Sequence, residues 1–97
     1  MPSMIITASK DVEKDSRKKM MAMGSKIMAE EIGKPESYCL VSFQTADMIF
    51  GGSDEPCAFV RVVSLGGLNQ AVNKAICERV VAMMDEFCGI PKNRFCS

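Results

Sequence analysis

The sequence predicts an α+β two-layer sandwich, with two βαβ repeats forming a four-stranded sheet and two helices on one face. Three observations carry this. Two stretches, residues 12–32 and 69–87, hold apolar side chains at helical period, and each stops at Gly-x-Pro. Short apolar or β-branched runs at residues 4–7, 38–45 and 57–65 read as strands. The punctuation also repeats: Gly33, Pro35 and Tyr38-Cys39 return as Gly89, Pro91 and Phe95-Cys96 at a nearly constant offset. Each repeat is strand, helix, strand, and a βαβ crossover makes its two strands parallel with the helix on one side.

Each element has its own signal. Met4-Ile5-Ile6-Thr7 is short and apolar, and Ser9 or Asp11 is positioned to cap the helix that follows. In that helix Met20, Met23, Ile27 and Ile32, with Met28 beside them, form one face, while Glu13/Arg17 and Asp15/Lys19 are favourably spaced ion pairs on the other. Gly33 supplies the left-handed cap and Pro35 blocks continuation. Cys39, Val41 and Phe43 share one face of the next strand, and Met48-Ile49-Phe50 extends it after a kink. Gly51-Gly52-Ser53-Asp54-Glu55-Pro56 is a turn-rich connector. The nearly continuous apolar run at residues 57–65 predicts a strand central in the sheet, broken by Gly66-Gly67. Val72, Ile76, Val80, Met83 and Phe87 then stripe the second helix before Gly89-Ile90-Pro91. The reading is a single domain over 1–97, with repeat one at about 2–50 and repeat two at about 57–97. By the repeat offset, the last strand would run well past Ser97, so the C-terminal strand is expected to be truncated.

Composition narrows the function. Twelve basic residues balance twelve acidic ones, which gives no reason to expect nucleic acid or an anionic membrane as partner. No apolar run approaches spanning length, and the N-terminal run is too short for a signal-peptide core, so a cytoplasmic, leaderless protein is expected. Five cysteines without a C-x-x-C pair point to free thiols, with Cys57 a buried structural one. Nine methionines fall mostly in the helical stripes and are expected to pack the core. The absence of histidine excludes His-based triads and His-containing zinc sites. Acid-base chemistry must use another amine or a carboxylate.

Pro2 is the candidate amine. Behind Met1 its nitrogen is an unreactive amide, but removal of Met1 would make it a secondary amine at the terminus, where α-amino groups titrate near about 7.7–8.0. Burial or a neighbouring cation lowers such a pKa towards the range that suits a general base. Lys34, held between the Gly33 cap and Pro35, is a cation on a short connection. Ser64-Leu65-Gly66-Gly67 leads from a strand into a helix, where free backbone N–H groups and the helix dipole favour an anion such as a carboxylate.

Together, Pro2, Gly33-Lys34-Pro35, Phe50-Gly51-Gly52-Ser53-Asp54-Glu55-Pro56-Cys57-Ala58 and Ser64-Leu65-Gly66-Gly67 resemble the macrophage migration inhibitory factor family of the tautomerase superfamily. The resemblance implies a homotrimer with pockets at subunit interfaces. It also implies a keto-enol tautomerase of the phenylpyruvate or dopachrome isomerase type. In that reading Pro2 is the catalytic acid-base group, Lys34 holds the carboxylate of a small 2-keto acid or enol substrate, and the Leu65 N–H donates a hydrogen bond to it. No metal and no organic cofactor is implied. The alternative is a cytokine-like protein, released by a leaderless route and binding a cell-surface receptor with weak or no catalysis. Three positions depart from the family pattern. Cys96 stands where the family has a pocket tyrosine, the family's following asparagine and aromatic tail fall past Ser97, and Val60 replaces the second cysteine of the family's dithiol element.

Overall fold

The computed structural model describes residues 1–96, the side chains of residues 94–96 excepted. The chain runs β1 (Ser3–Ala8), α1 (Lys14–Ile32), β2 (Leu40–Thr45), β3 (Ala58–Val63), α2 (Gln70–Cys88) and β4 (Phe95–Cys96), with one-turn 3-10 helices at Glu36–Tyr38 and Lys92–Arg94. The sheet order is β2-β1-β3-β4. Three strands are full length and β4 contributes two residues, so the expected four-stranded sheet is present as three strands and a stub. Ser97, with which the expected truncation begins, lies outside the described residues.

The two βαβ units have parallel pairs in matching register. Ser3 lies opposite Leu40 in one, and Ala58 opposite Phe95 in the other, the same separation along the chain. The units join through an antiparallel β1–β3 ladder running from Ser3–Val63 to Ala8–Ala58. Both helices lie on one face of the sheet, and the strand alternation follows from that. Met4, Ile6 and Ala8 are buried against the helices, while Ser3, Ile5 and Thr7 face the open side.

Nearly all of the predicted helix stripes enter the core. Met20, Ile27, Met28 and Ile32 of α1 meet Ile76, Val80 and Met83 of α2 over Met4, Ile6 and Val60. Full burial of each large side chain contributes about 1.5–3 kcal/mol. Met84, Cys88 and Ile90 are also buried, widening the second stripe beyond the predicted positions. Gly24 admits α1 to the sheet: a Cβ there would stand 3.0 Å from Met4 Sδ and 3.7 Å from Val41.

Several local expectations are corrected. The cap of α1 is Glu13, whose carboxylate accepts from the Ser16 N–H, because Asp11 instead accepts from Val12 N–H and Ser9 Oγ accepts from Cys57 N–H. Arg17 pairs with Asp11 at 3.5 Å and lies over the Phe43 ring, so it ties helix to strand rather than pairing along the helix. Residues 48–50 do not extend β2. Gly51 and Gly52, at φ 62° and 77°, turn the chain back so that Phe50 and Ser53 exchange backbone hydrogen bonds. β3 is central in the sheet as expected, lying between β1 and β4, with Ala58 and Val60 covered and Phe59 and Val63 exposed. The apolar run at residues 57–65 thus reflects one core face and one open apolar face.

Cys39, Cys57, Cys77 and Cys88 are free thiols, and Cys57 is buried as expected. Cys88 is buried beside Met20 Sδ at 3.5 Å, and burial pushes its thiol pKa up, partly offset by Lys10. The folded state therefore disfavours the thiolate, and the stability this represents is complete below the usual thiol range and lost as pH rises above about 8.5. Urea unfolding from pH 7 to 10 should show stability falling on the alkaline side, with a smaller fall in Cys88→Ala. Identical alkaline slopes would remove Cys88 as a cause.

Candidate functional site

The site is assembled at one end of the sheet by the start of β1, the end of α1 and the loop after β3. Pro2 is buried, and its carbonyl accepts from the Leu40 N–H at 2.9 Å, which fixes the residue as the first rung between β1 and β2. Its nitrogen is an amide here, because Met1 is present.

Lys34 is placed by the way α1 stops. Gly33 adopts φ 80°, and the Gly33 and Lys34 N–H groups both donate to the Ala29 carbonyl, at 3.0 and 3.2 Å. The chain thereby leaves the helix axis, and Pro35 starts a single 3-10 turn closed by Tyr38 N–H to Pro35 C=O at 3.0 Å. Tyr38, expected in a strand, belongs to this turn. Lys34 makes no ion pair among the described residues.

The Leu65 loop is placed by Gly66 and Gly67, at φ 83° and 77°. Ser64 Oγ donates to the Gly66 carbonyl at 2.8 Å and closes the loop on itself. Gly67 also lies against the end of α1: a Cβ there would sit 2.6 Å from Ile32 Cγ2 and 3.2 Å from the Ile32 carbonyl oxygen. That seating brings the loop to the end of the helix that Lys34 follows. The Leu65 N–H donates no hydrogen bond among the described residues, and its side chain stands 89 % exposed. α2 begins at Gln70 with Asn69 as its cap, at the start expected from the sequence and past the Leu65 loop.

Pro2, Lys34 and Leu65, singled out on separate segments, line one open cavity of about 250 Å³ together with Met1, Ser37, Tyr38 and Ser64. Among the described residues of this lining, Lys34 is the one basic or acidic side chain. Sequence reasoning missed Ser37 and Tyr38 as wall residues. The usable signal was Pro35 directly after a capped helix, which forces a turn towards Lys34 rather than immediate entry into a strand. Cys39, next in line, is half-buried; burial and then Glu36 push its thiol pKa up, while the chain's N-terminal amine lowers it. The Cys96 side chain, at the family's tyrosine position, lies outside what the structure describes, and no cluster able to hold a metal occurs among the described residues.

A family model for macrophage migration inhibitory factor (MIF) matches residues 1–96. The chain belongs to that family. The MIF homologue of Brugia malayi is 37% identical over 71 residues, and that of Trichuris trichiura 38% over 71 residues. Both matches take in 72% of this chain and 62% of the relative, so the chain spans less than two-thirds of the length of these curated relatives. Among solved structures, the Toxoplasma gondii factor superposes with a TM-score of 0.93 at 34% identity, covering 97% of this chain and 83% of the other. The Prochlorococcus marinus homologue gives 0.90 at 32% identity, with 97% and 82% covered. The chain thus has the tautomerase-superfamily fold, and none of its described helices is long and apolar enough to cross a membrane.

Gly67 has two reasons to be glycine and Gly66 only one, because nothing lies within 4 Å of a Cβ at Gly66. In thermal unfolding, Gly66→Ala should cost about 1–2 kcal/mol for the left-handed backbone, and Gly67→Ala about 1–3 kcal/mol more for the collision with Ile32. Equal losses would show that the Ile32 contact does not hold the loop.

Proposed function

We infer that this chain is a keto-enol tautomerase for small 2-keto acids and their enols, working through Pro2 once Met1 is removed. The observation that carries the reading is the convergence of Pro2, Lys34 and the Leu65 loop on one small cavity. Removing Met1 would do two things there: it would convert the Pro2 amide to a basic amine, and it would take away a residue that lines the cavity.

The chemistry follows from the groups available. The Lys34 ammonium pairs with the substrate carboxylate, and the Leu65 N–H donates to a substrate oxygen, orienting the carbon next to the ketone towards Pro2. The Pro2 nitrogen takes a proton from that carbon, the C–H electron pair becomes the enol double bond, and the ketone oxygen gains negative charge. A proton returned to that oxygen completes the enol, and reversal gives the keto form. The nearby cation and the burial of Pro2 both favour the unprotonated amine needed for the first step. No step needs a metal or an organic cofactor.

A homotrimer belongs to the same reading. The open sheet face exposes Leu40, Phe59 and Val63, and the cavity rim exposes Tyr38 and Leu65, so a neighbouring copy would cover apolar surface and wall the site. A second reading, a cytokine-like ligand for a cell-surface receptor released without a leader, is supported by the migration inhibitory factor designation of the relatives. Cytoplasmic residence before release fits both.

Phenylpyruvate tautomerisation should be measured on protein whose Met1 removal has been verified by intact mass. Pro2→Gly should lose about 10²–10⁴-fold in kcat/KM, Lys34→Ala should act mainly by raising KM, and Met1-retaining protein should be inactive. Equal rates for wild type and Pro2→Gly would refute the catalytic role. Receptor binding unaffected by Pro2→Gly, alongside absent turnover in wild type, would favour the second reading.

A further inference from the structure

The β1–β3 ladder fixes what stands opposite Pro2. Its pairs run antiparallel from Ala8–Ala58 to Ser3–Val63, so the register sets Pro2 opposite Ser64 and would set Met1 opposite Leu65. All four residues line the same cavity. β3 nevertheless ends at Val63, and the Leu65 N–H donates to no carbonyl among the described residues, that of Met1 included. The donor is turned out of the ladder and left free. What turns it is the Ser64 side chain, whose hydroxyl donates to the Gly66 carbonyl at 2.8 Å. The ring closed by that bond contains the Ser64–Leu65 peptide group, which carries the Leu65 N–H. Packing does not fix this peptide in its place: the Leu65 side chain is exposed, and nothing lies within 4 Å of where a Cβ would stand on Gly66. Gly66, at φ 83°, would otherwise leave the preceding peptide free to rotate. The seating of Gly67 on Ile32 holds the loop only beyond the ring.

We propose that Ser64 is a positioning residue for the tautomerisation: its hydroxyl, anchored at the strand position opposite Pro2, orients the Leu65 N–H towards the ketone oxygen of the substrate. This role presupposes the activity proposed above. It assigns Ser64 to the step in which charge develops. As Pro2 takes the proton from carbon, the ketone oxygen gains negative charge, and a donor already fixed at that oxygen needs no reorganisation when the charge appears. Lys34 differs, because it holds a carboxylate whose charge is the same before and after the proton moves. Loss of the Ser64 hydroxyl should therefore appear in kcat, whereas loss of the Lys34 ammonium appears mainly in KM. The bond to Gly66 needs only a hydroxyl on the β-carbon, so threonine can replace serine and alanine cannot.

The test uses Met1-free protein as wild type, Pro2→Gly, Ser64→Ala and Ser64→Thr, with phenylpyruvate turnover as one readout and ¹⁵N relaxation of the Leu65 amide as the other. Ser64→Ala should lower kcat about 10–100-fold and leave KM within about threefold, and Ser64→Thr should recover most of the rate. The Leu65 amide order parameter should fall from about 0.85 in wild type to below about 0.6 in Ser64→Ala and stay high in Ser64→Thr. Pro2-dependent turnover that is equal in wild type and Ser64→Ala would overturn the role of Ser64 and leave the tautomerase reading standing. A loss of kcat with the Leu65 amide still rigid would also overturn it, since the hydroxyl would then be touching substrate itself. Wild-type rates no higher than those of Pro2→Gly would bring down the tautomerase reading, and this role with it.

Discussion

The contact on which the site depends is the seating of Gly67 against the last turn of α1. Ile32 is the final residue of that helix, Gly33 caps it and Lys34 follows. Because Gly67 has no Cβ, the loop carrying Leu65 approaches Ile32 more closely than any other residue type would allow, and its positive φ turns the chain onward to α2. The helix end and the strand exit thus become neighbours. Without this contact, Lys34 and Leu65 would sit on separate connections rather than line one cavity with Pro2.

The core holds the parts of that contact still. α1 settles onto the sheet at Gly24, and its stripe meets α2 over Met4, Ile6 and Val60. Arg79 of α2 reaches Glu30 and Glu31 of α1, at 2.9 and 3.0 Å, in a partly exposed network. Pairs of that exposure contribute up to about 1 kcal/mol each and serve mainly to orient. Orientation is what the site needs here, since Glu30 and Glu31 lie in the same last turn that presents Lys34. The buried start of β1 supplies the remaining fixed point, with Pro2 tied to β2 through Leu40.

Much of this was legible because it was written in periodicity and punctuation. Helix faces, Gly-x-Pro stops and the repeat placed the elements within one or two residues, the extension of β2 through Phe50 apart, and Pro2, Lys34 and Leu65 came from the family resemblance that their motifs carry. Most of what escaped had non-local causes. Glu13 caps α1 because Ser9 is engaged by the N–H of Cys57, far along the chain. Arg17 abandons Glu13 for Asp11 and Phe43 because β2 runs beneath it. The open face of β3 is not legible in its composition, since Phe59 and Val63 are apolar whether or not anything covers them. Tyr38 reads as strand by its aromatic β-propensity, which the turn that Pro35 imposes overrides.

The central claim is that Lys34 and a free Pro2 amine act on each other within one cavity. The most direct measurement is an NMR titration of the ¹⁵N-labelled Pro2 nitrogen in Met1-free protein, for wild type and Lys34→Met. The account predicts a wild-type pKa below the ordinary α-amino range of about 7.7–8.0, moving upward when the Lys34 charge is removed. Titration of both proteins within that range and at the same pH would contradict it.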